Sequence, residues 1–340
     1  MVFWENRPPL VSGDSYSIVF PKGLNLFYEP CVLKTAYAIQ ITNTMQIIDG
    51  NALAAQIKAE LKEKVEKATA TGRRAPHLAA VLIGDHPASR SYVTNKVKSC
   101  TDAGFQSTLI QRPAEISQQG LLDIVNDLNN DPEIDGFIVQ LPLPEHIHEM
   151  DITLAIRPEK DVDGFHPMNL GLMTLGLPAY LPATPMGIMQ MLERYHIDIS
   201  GKNCCVIGRS NIVGTPISIL LSRKGTPGDA TVMLCHSRTP DIKQIAQQAD
   251  VLVVALGKPH FLTADMVKEG AVVIDVGINR IDDATRKSGF RLVGDVDYDQ
   301  VAPKCSYITP VPGGVGPMTV TSLLLNTWKA YEGEIYPKSR

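Results

Sequence analysis

Four apolar residues running straight into a glycine, Cys204-Cys205-Val206-Ile207-Gly208, constrain this chain more than any other feature. A strand with no polar face has to be covered on both sides, which is the situation of a parallel sheet flanked by helices. Similar short runs recur over 230–235, 251–256, 271–276 and 290–293, with helical patterns between most of them. Alternation of this kind requires a doubly wound, Rossmann-like parallel sheet.

The upstream part repeats the theme on a smaller scale. Leu53, Ile57, Leu61 and Val65 recur at helical spacing among Lys and Glu, an amphipathic helix over 51–71. Apolar runs over 77–84 and 136–141 read as buried strands, with helical patterns over 92–103 and 118–129 between them. The expected order there is strand, helix, helix, strand. With 340 residues, two domains are expected. The reading is α/β: a smaller catalytic domain over 45–165, completed by a C-terminal helix within 317–340, and the Rossmann-like domain over 166–316. Thr184-Pro185, a helix cap followed by proline at the first helical position, starts a connecting helix whose methionines belong to the core. Residues 1–44 show no sustained period and neither a signal nor a transit pattern. They are expected to be an extension outside the fold, with Met45 a natural start.

Composition narrows the partners. Lys plus Arg number 32 against 36 Asp plus Glu, a formal charge of −4, so no basic footprint for nucleic acid exists and no polybasic membrane patch. No run is long and apolar enough to span a bilayer. The six cysteines lack zinc-site spacing and read as buried thiols in a reducing compartment, so a cytoplasmic enzyme of small molecules is expected. No metal site is expected, and His166 reads as a loop residue.

The turn Gly208-Arg209-Ser210-Asn211-Ile212-Val213-Gly214 joins a strand to a helix, where backbone N–H groups can hold a phosphate. It departs from the three-glycine dinucleotide fingerprint, because Ser210 takes the middle glycine position and the last glycine falls one residue late. The next strand ends in His236-Ser237-Arg238-Thr239, offering a hydroxyl and a guanidinium where an NAD enzyme normally places an acid; this favours NADP. Ser237 and Thr239 are equally suited to capping a helix. In the smaller domain, Tyr92 and Lys96 are four apart and share a helix face. Gln140 ends a buried strand, the place where open α/β sheets bind ligands. Asp161 and Asp163 stand together in Lys160-Asp161-Val162-Asp163-Gly164, which by itself is an ordinary Asx-turn. The glycines of Pro312-Gly313-Gly314-Val315-Gly316-Pro317 suit close backbone approach, either to a ligand or between domains.

Taken in order, Tyr92-Val93-Thr94-Asn95-Lys96, Val139-Gln140-Leu141-Pro142-Leu143-Pro144, Lys160-Asp161-Val162-Asp163-Gly164-Phe165, the Gly208–Gly214 turn and Pro312-Gly313-Gly314-Val315-Gly316-Pro317-Met318-Thr319 resemble the bifunctional methylenetetrahydrofolate dehydrogenase/methenyltetrahydrofolate cyclohydrolases. The resemblance covers Met45 to the C-terminus. It implies NADP-dependent oxidation of 5,10-methylene-tetrahydrofolate and hydrolysis of the methenyl product to 10-formyl-tetrahydrofolate at one site. It makes Lys96 the catalytic lysine, Gln140 its partner, Tyr92 the ring stacked on the folate and Asp163 the carboxylate that fixes the pterin. Val139, Leu141, Pro312, Gly313 and Gly314 would line the substrate. Gly208, Arg209, Ser210, Ser237 and Ile278 would contact NADP, and the enzyme would be a homodimer through its cofactor domain. Some members lack the cyclohydrolase step and use NAD; Lys96 and Ser237-Arg238 favour the bifunctional NADP form. A fused formyl-tetrahydrofolate ligase is not expected, the chain ending at Arg340. Two other readings stand beside this one: a dehydrogenase of another two-domain family, such as the amino-acid or shikimate type, and a non-catalytic NADP-sensing module.

Overall fold

The computed structural model describes residues 45–85, 87–286 and 289–337, with residues 87–92 described by backbone alone. The expected extension over 1–44 therefore lies wholly outside the described residues, which begin at Met45. The first half of the described chain runs β1 (Gln46–Ile47), α1 (Gly50–Ala70), β2 (His77–Ile83), α2 (Pro87–Asp102), β3 (Gln106–Arg112), α3 (Gln118–Asn130), β4 (Gly136–Val139), α4 (Glu149–Ala155), α5 (Pro167–Thr174) and α6 (Ala183–Arg194). The second half runs β5 (Asn203–Ile207), α7 (Gly214–Ser222), β6 (Thr231–Cys235), α8 (Ile242–Gln247), β7 (Val251–Val254), β8 (Ala271–Asp275), β9 (Asn279–Asp282), β10 (Phe290–Val293), α9 (Tyr298–Val301), β11 (Cys305–Ile308) and α10 (Val315–Glu332), with 3-10 turns at Ala264–Met266 and Ala302–Lys304.

Two parallel sheets result: a three-stranded one in the order β3-β2-β4 and a six-stranded one in the order β1-β11-β8-β7-β5-β6. Period-two alternation sorts each central strand between two cores. In β2, Leu78, Ala80 and Leu82 enter the core shared with Leu53, Ile57, Leu61 and Val65 of α1, while Ala79, Val81 and Ile83 pack with Leu121 and Val125 of α3. In β5, Cys204 and Val206 enter that same first core, whereas Cys205 and Ile207 face a third. One core thus runs beneath both sheets. Each fully buried Leu or Ile of α1 contributes roughly 1.5–3 kcal/mol relative to exposure.

Several expectations need correction. The small sheet contains a strand, β3, between its two helices, so the order there is strand, helix, strand, helix, strand. As an edge strand it carries Gln106, Ser107, Thr108, Gln111 and Arg112 and shows no apolar run. The run over 290–293 does not join the main sheet: it pairs antiparallel with β9 as a separate ribbon, with the Arg280 guanidinium 3.6 Å from the centre of the Phe290 ring. The main sheet is completed instead by the short strands β1 and β11, which were not foreseen. Thr184 caps nothing; α6 starts two residues earlier than expected, at Ala183, with Pro182 at the cap position. The Thr184 hydroxyl lies 3.0 Å from that of Thr319 and so joins α6 to α10.

Helix α10 returns across the molecule. Asn326, fully buried, donates its amide to Val162 O at 2.9 Å and Leu181 O at 2.8 Å, and the Tyr331 hydroxyl donates to Arg74 O at 2.8 Å. Asn326→Ala should lose about 2–4 kcal/mol of stability, because two buried carbonyls lose their donor. A urea unfolding midpoint equal to that of the parent would contradict this.

Candidate active site

Gln140 follows β4 directly, and its backbone N–H extends the parallel ladder by donating to Val81 O at 2.9 Å. Its side-chain amide is oriented from the other end: Nε2 donates to Leu141 O at 2.7 Å, which turns Oε1 towards α2. There Lys96 Nζ donates to Gln140 Oε1 at 3.2 Å. Lys96 is only 5% exposed, and burial pushes its pKa below the ordinary lysine value while the charge of Asp163 pushes it back up. Burial likewise raises the Asp163 carboxyl, opposed by the Lys96 charge. Lys96, Gln140 and Asp163 are thus one electrostatic unit built from α2, the end of β4 and the loop after it. Tyr92 lies one turn before Lys96 in α2; its side chain lies outside the described residues.

The loop holding Asp163 divides its work among three residues of the motif. Lys160 Nζ donates to Leu128 O at 3.3 Å and Ile134 O at 2.6 Å, tying the loop to the end of α3 and the turn beyond it. Asp161, buried, accepts from Phe165 N at 3.2 Å, His166 N at 2.8 Å and Asn169 Nδ2 at 2.9 Å. The Asx-turn reading therefore fits Asp161, while Asp163 faces the lysine. Val139, Leu141, Asp163 and Phe165 line a common cleft at the carboxyl end of the small sheet.

In the larger sheet, Gly208 has φ +123°, and a Cβ there would lie 2.2 Å from Ala255 O; a Cβ on Gly214 would lie 1.9 Å from Gly208 O. The turn is packed against itself and its neighbour strand, so only glycine fits at either position. Ser210 Oγ accepts from Val213 N at 3.2 Å and Gly214 N at 3.4 Å. These first helix donors are therefore engaged within the turn, unlike the expectation that they face a ligand. The turn exposes Arg209 and Ser210, with Asn211 and Ile212 beside them. Ser237 and Arg238, both exposed, stand at the end of β6, the strand next to β5. Thr239 Oγ1 accepts from His236 N at 2.9 Å, so it closes the turn; α8 has Asp241 at its cap position with no side-chain cap bond, and neither Ser237 nor Thr239 caps it. A glycine cradle flanked by two guanidiniums and two hydroxyls fits a phosphorylated dinucleotide.

Ile278, 57% exposed, reaches within 3.5 Å of where a Gly316 side chain would start. The Pro312-Gly313-Gly314 loop also meets the start of α1, where Asn51 N donates to Gly313 O at 3.1 Å. Among the described residues there is no cluster of three or more potential metal ligands, and no helix is long and apolar enough to cross a membrane. Missed from the sequence were Asp275 and Asp295. The available signal was a carboxylate ending each of two apolar runs, Val273-Ile274-Asp275 and Leu292-Val293-Gly294-Asp295.

Both halves of the chain resemble known proteins. Residues 48–163 match the catalytic domain of tetrahydrofolate dehydrogenase/cyclohydrolase, and residues 182–335 match the NAD(P)-binding domain of the same family. The bifunctional protein FolD of Cytophaga hutchinsonii is 62% identical over 286 residues, 84% of this chain and 99% of that protein. Its counterpart from Porphyromonas gingivalis is 55% identical over 290 residues, 85% of this chain and 98% of that protein. The crystal structure of the bifunctional enzyme FolD from Campylobacter jejuni superposes with a TM-score of 0.80 at 47% identity, covering 85% of this chain and 99% of the other. The Trypanosoma brucei methylenetetrahydrofolate dehydrogenase-cyclohydrolase, solved with NADP and an inhibitor, gives a TM-score of 0.81 at 37% identity, over 86% of this chain and 98% of that one. With both family domains matched in order over residues 48–163 and 182–335, and relatives 55–62% identical over nearly their whole length, the chain belongs to the tetrahydrofolate dehydrogenase/cyclohydrolase family.

Proposed function

We propose that this protein is a bifunctional, NADP-dependent methylenetetrahydrofolate dehydrogenase and methenyltetrahydrofolate cyclohydrolase, and that the buried Lys96–Gln140–Asp163 unit is its catalytic centre. The observation that carries the reading is a lysine only 5% exposed, hydrogen-bonded to the neutral side-chain amide of Gln140. NADP, when bound, supplies the two-electron oxidant for the first step. That step asks the chain mainly for geometry, the folate methylene being held in position by the cleft. Hydrolysis asks for more. Water attacking the cationic methenyl carbon has to lose a proton, and a ring nitrogen has to regain one. An amine whose pKa is depressed by burial can take the first proton and return the second. Gln140 orients the amine without raising its pKa, which a carboxylate in its place would do.

In this proposal Asp163 fixes the pterin, Tyr92 stacks on it, and Val139, Leu141, Pro312, Gly313 and Gly314 line the folate. Gly208, Arg209, Ser210, Ser237 and Ile278 hold NADP. The division of labour would follow residues 45–165 with the returning C-terminal helix for the folate, and residues 166–316 for the cofactor. A homodimer through the cofactor half is supported by the edge strand β6, which exposes Leu234, and by the ribbon, which exposes Leu292. Light scattering that returned a single-chain mass would reject it. A cytoplasmic location fits the five buried free cysteines among the described residues.

The decisive assay follows methylene-tetrahydrofolate oxidation with NADP and NAD side by side, then the decay of the methenyl product. The reading requires an absorbance rise with NADP followed by hydrolysis. Binding of NADP without turnover would reject it.

A further inference from the structure

Asp295 is a carboxylate with no exposed surface, placed just after the β9–β10 ribbon, and the folate chemistry makes no use of it. Its Oδ2 accepts from Leu256 N at 2.6 Å and Gly257 N at 2.8 Å, and its Oδ1 accepts from Lys258 N at 2.8 Å and Asn279 Nδ2 at 2.8 Å. Three of these donors are consecutive backbone amides of the loop following β7. The fourth belongs to the first residue of β9, after the loop that follows β8. The backbone of Asp295 is held in turn by a second buried carboxylate: Asp275 Oδ1 accepts from Asp295 N and Gly277 N, each at 2.9 Å, and Asp275 Oδ2 accepts from Val296 N at 3.0 Å. A Cβ on Gly277 would lie 2.3 Å from Asp295 Oδ1, so the loop touches the carboxylate so closely that no side chain fits.

A buried anion without a cation is tolerable only when donors surround it, and four N–H groups are what Asp295 has. The position of those donors is the informative part. Both loops leave the carboxyl ends of adjacent parallel strands, which is where open α/β sheets take their ligands. Gly277 and Asn279, the neighbours of Ile278, are both tied to this carboxylate pair.

We propose, resting on the NADP reading above, that Asp295 is a positioning residue that clamps the loops after β7 and β8 into the edge against which the cofactor lies. It does not touch NADP; it sets the place of Ile278 and of the Leu256-Gly257-Lys258 backbone. Asp295→Asn tests this with little change of volume. The new amide presents hydrogens to two of the four donors, so either Leu256 and Gly257 or Lys258 and Asn279 lose their acceptor.

Three readouts separate positioning from general support. NADP affinity, titrated calorimetrically, should weaken at least roughly tenfold, the scale expected when a charged acceptor loses donors. Hydrogen exchange at Leu256, Gly257 and Lys258 should accelerate in the cofactor-free enzyme. Methenyl-folate hydrolysis, assayed without NADP, should stay within about threefold of the parent, since Lys96 lies on the other sheet's side of the molecule. An unchanged NADP affinity overturns the proposal, and so does a parallel loss of hydrolysis and binding. Should Asp295→Asn fail to fold, Asn279→Ala removes one donor only and should still weaken NADP at least about threefold with hydrolysis intact; unchanged affinity there overturns the proposal equally. If the unaltered enzyme binds no NADP, the functional reading fails, and not this inference alone.

Discussion

Replacing Lys96 by methionine should lower methenyl-folate hydrolysis by roughly 10²- to 10⁴-fold, the usual worth of a positioned proton-transfer group, while NADP affinity stays within about twofold because the two sites are built on different sheets. Methionine keeps most of the buried volume and removes only the amine. A companion Lys96→Arg keeps a positive charge beside Asp163 but cannot give up its proton under assay conditions. If the role of Lys96 is proton transfer, arginine fails as methionine does; if the charge alone matters, arginine rescues. Undiminished hydrolysis in Lys96→Met would remove this residue from the mechanism.

The pH dependence follows from the same physics. The base is the neutral amine, so hydrolysis should climb as pH rises through the Lys96 pKa. Burial places that midpoint below the ordinary 10.5 of lysine. The Asp163 charge works against burial by favouring the ammonium, so Asp163→Asn should shift the rising limb to lower pH even as it weakens folate binding. A limb that moved upward, or a rate independent of pH, would contradict the assignment.

The second large effect is expected at Gly208. Its φ of +123° alone would cost a non-glycine residue about 1–3 kcal/mol. A Cβ there would also stand 2.2 Å from Ala255 O, in the neighbouring strand's extension, where Ala255 N already donates to Ile207 O at 2.9 Å. Gly208→Ala must therefore push the turn outward, taking Arg209 and Ser210 with it. Displacement worth about 3 kcal/mol corresponds to a loss of roughly 100-fold in NADP affinity. Calorimetric titration measures it, and circular dichroism with methenyl-folate hydrolysis establishes that the remainder of the protein is folded. Affinity equal to that of the parent would mean that the turn does not hold the cofactor.

How much was visible beforehand depended on whether an element announces itself locally. β5 is legible because its four apolar residues Cys204–Ile207 run straight into Gly208, and β10 because Phe290, Leu292 and Val293 stand in a short segment that ends at Gly294. Helix α1 was foreseen within one residue, since Leu53, Ile57, Leu61 and Val65 mark a continuous stripe. β3 escaped because an edge strand needs no second apolar face, and its polar residues erase the pattern. β1 escaped because two residues carry no period at all; it exists by pairing with β11, far along the chain. The ribbon shows the opposite failure: the pattern of Phe290–Val293 was read correctly as a strand, but nothing in it says which sheet a strand joins.

Among the site residues, the sequence by itself determined the chemistry available: a lysine four residues after a tyrosine, a glutamine at a strand end, paired aspartates in a turn, a glycine-bounded loop and a serine-arginine pair after the next strand. It also determined the α/β class, because periodicity is a property of neighbours along the chain. Only the tertiary structure decided which aspartate faces Lys96 and which staples its own loop, since Asp161 and Asp163 differ by two positions in sequence and entirely in partners. It alone decided that Asp295 gathers four donors from two distant loops. Burial and hydrogen-bond satisfaction belong to the whole packed molecule; they arise where strands remote in sequence end side by side, and no local pattern records them.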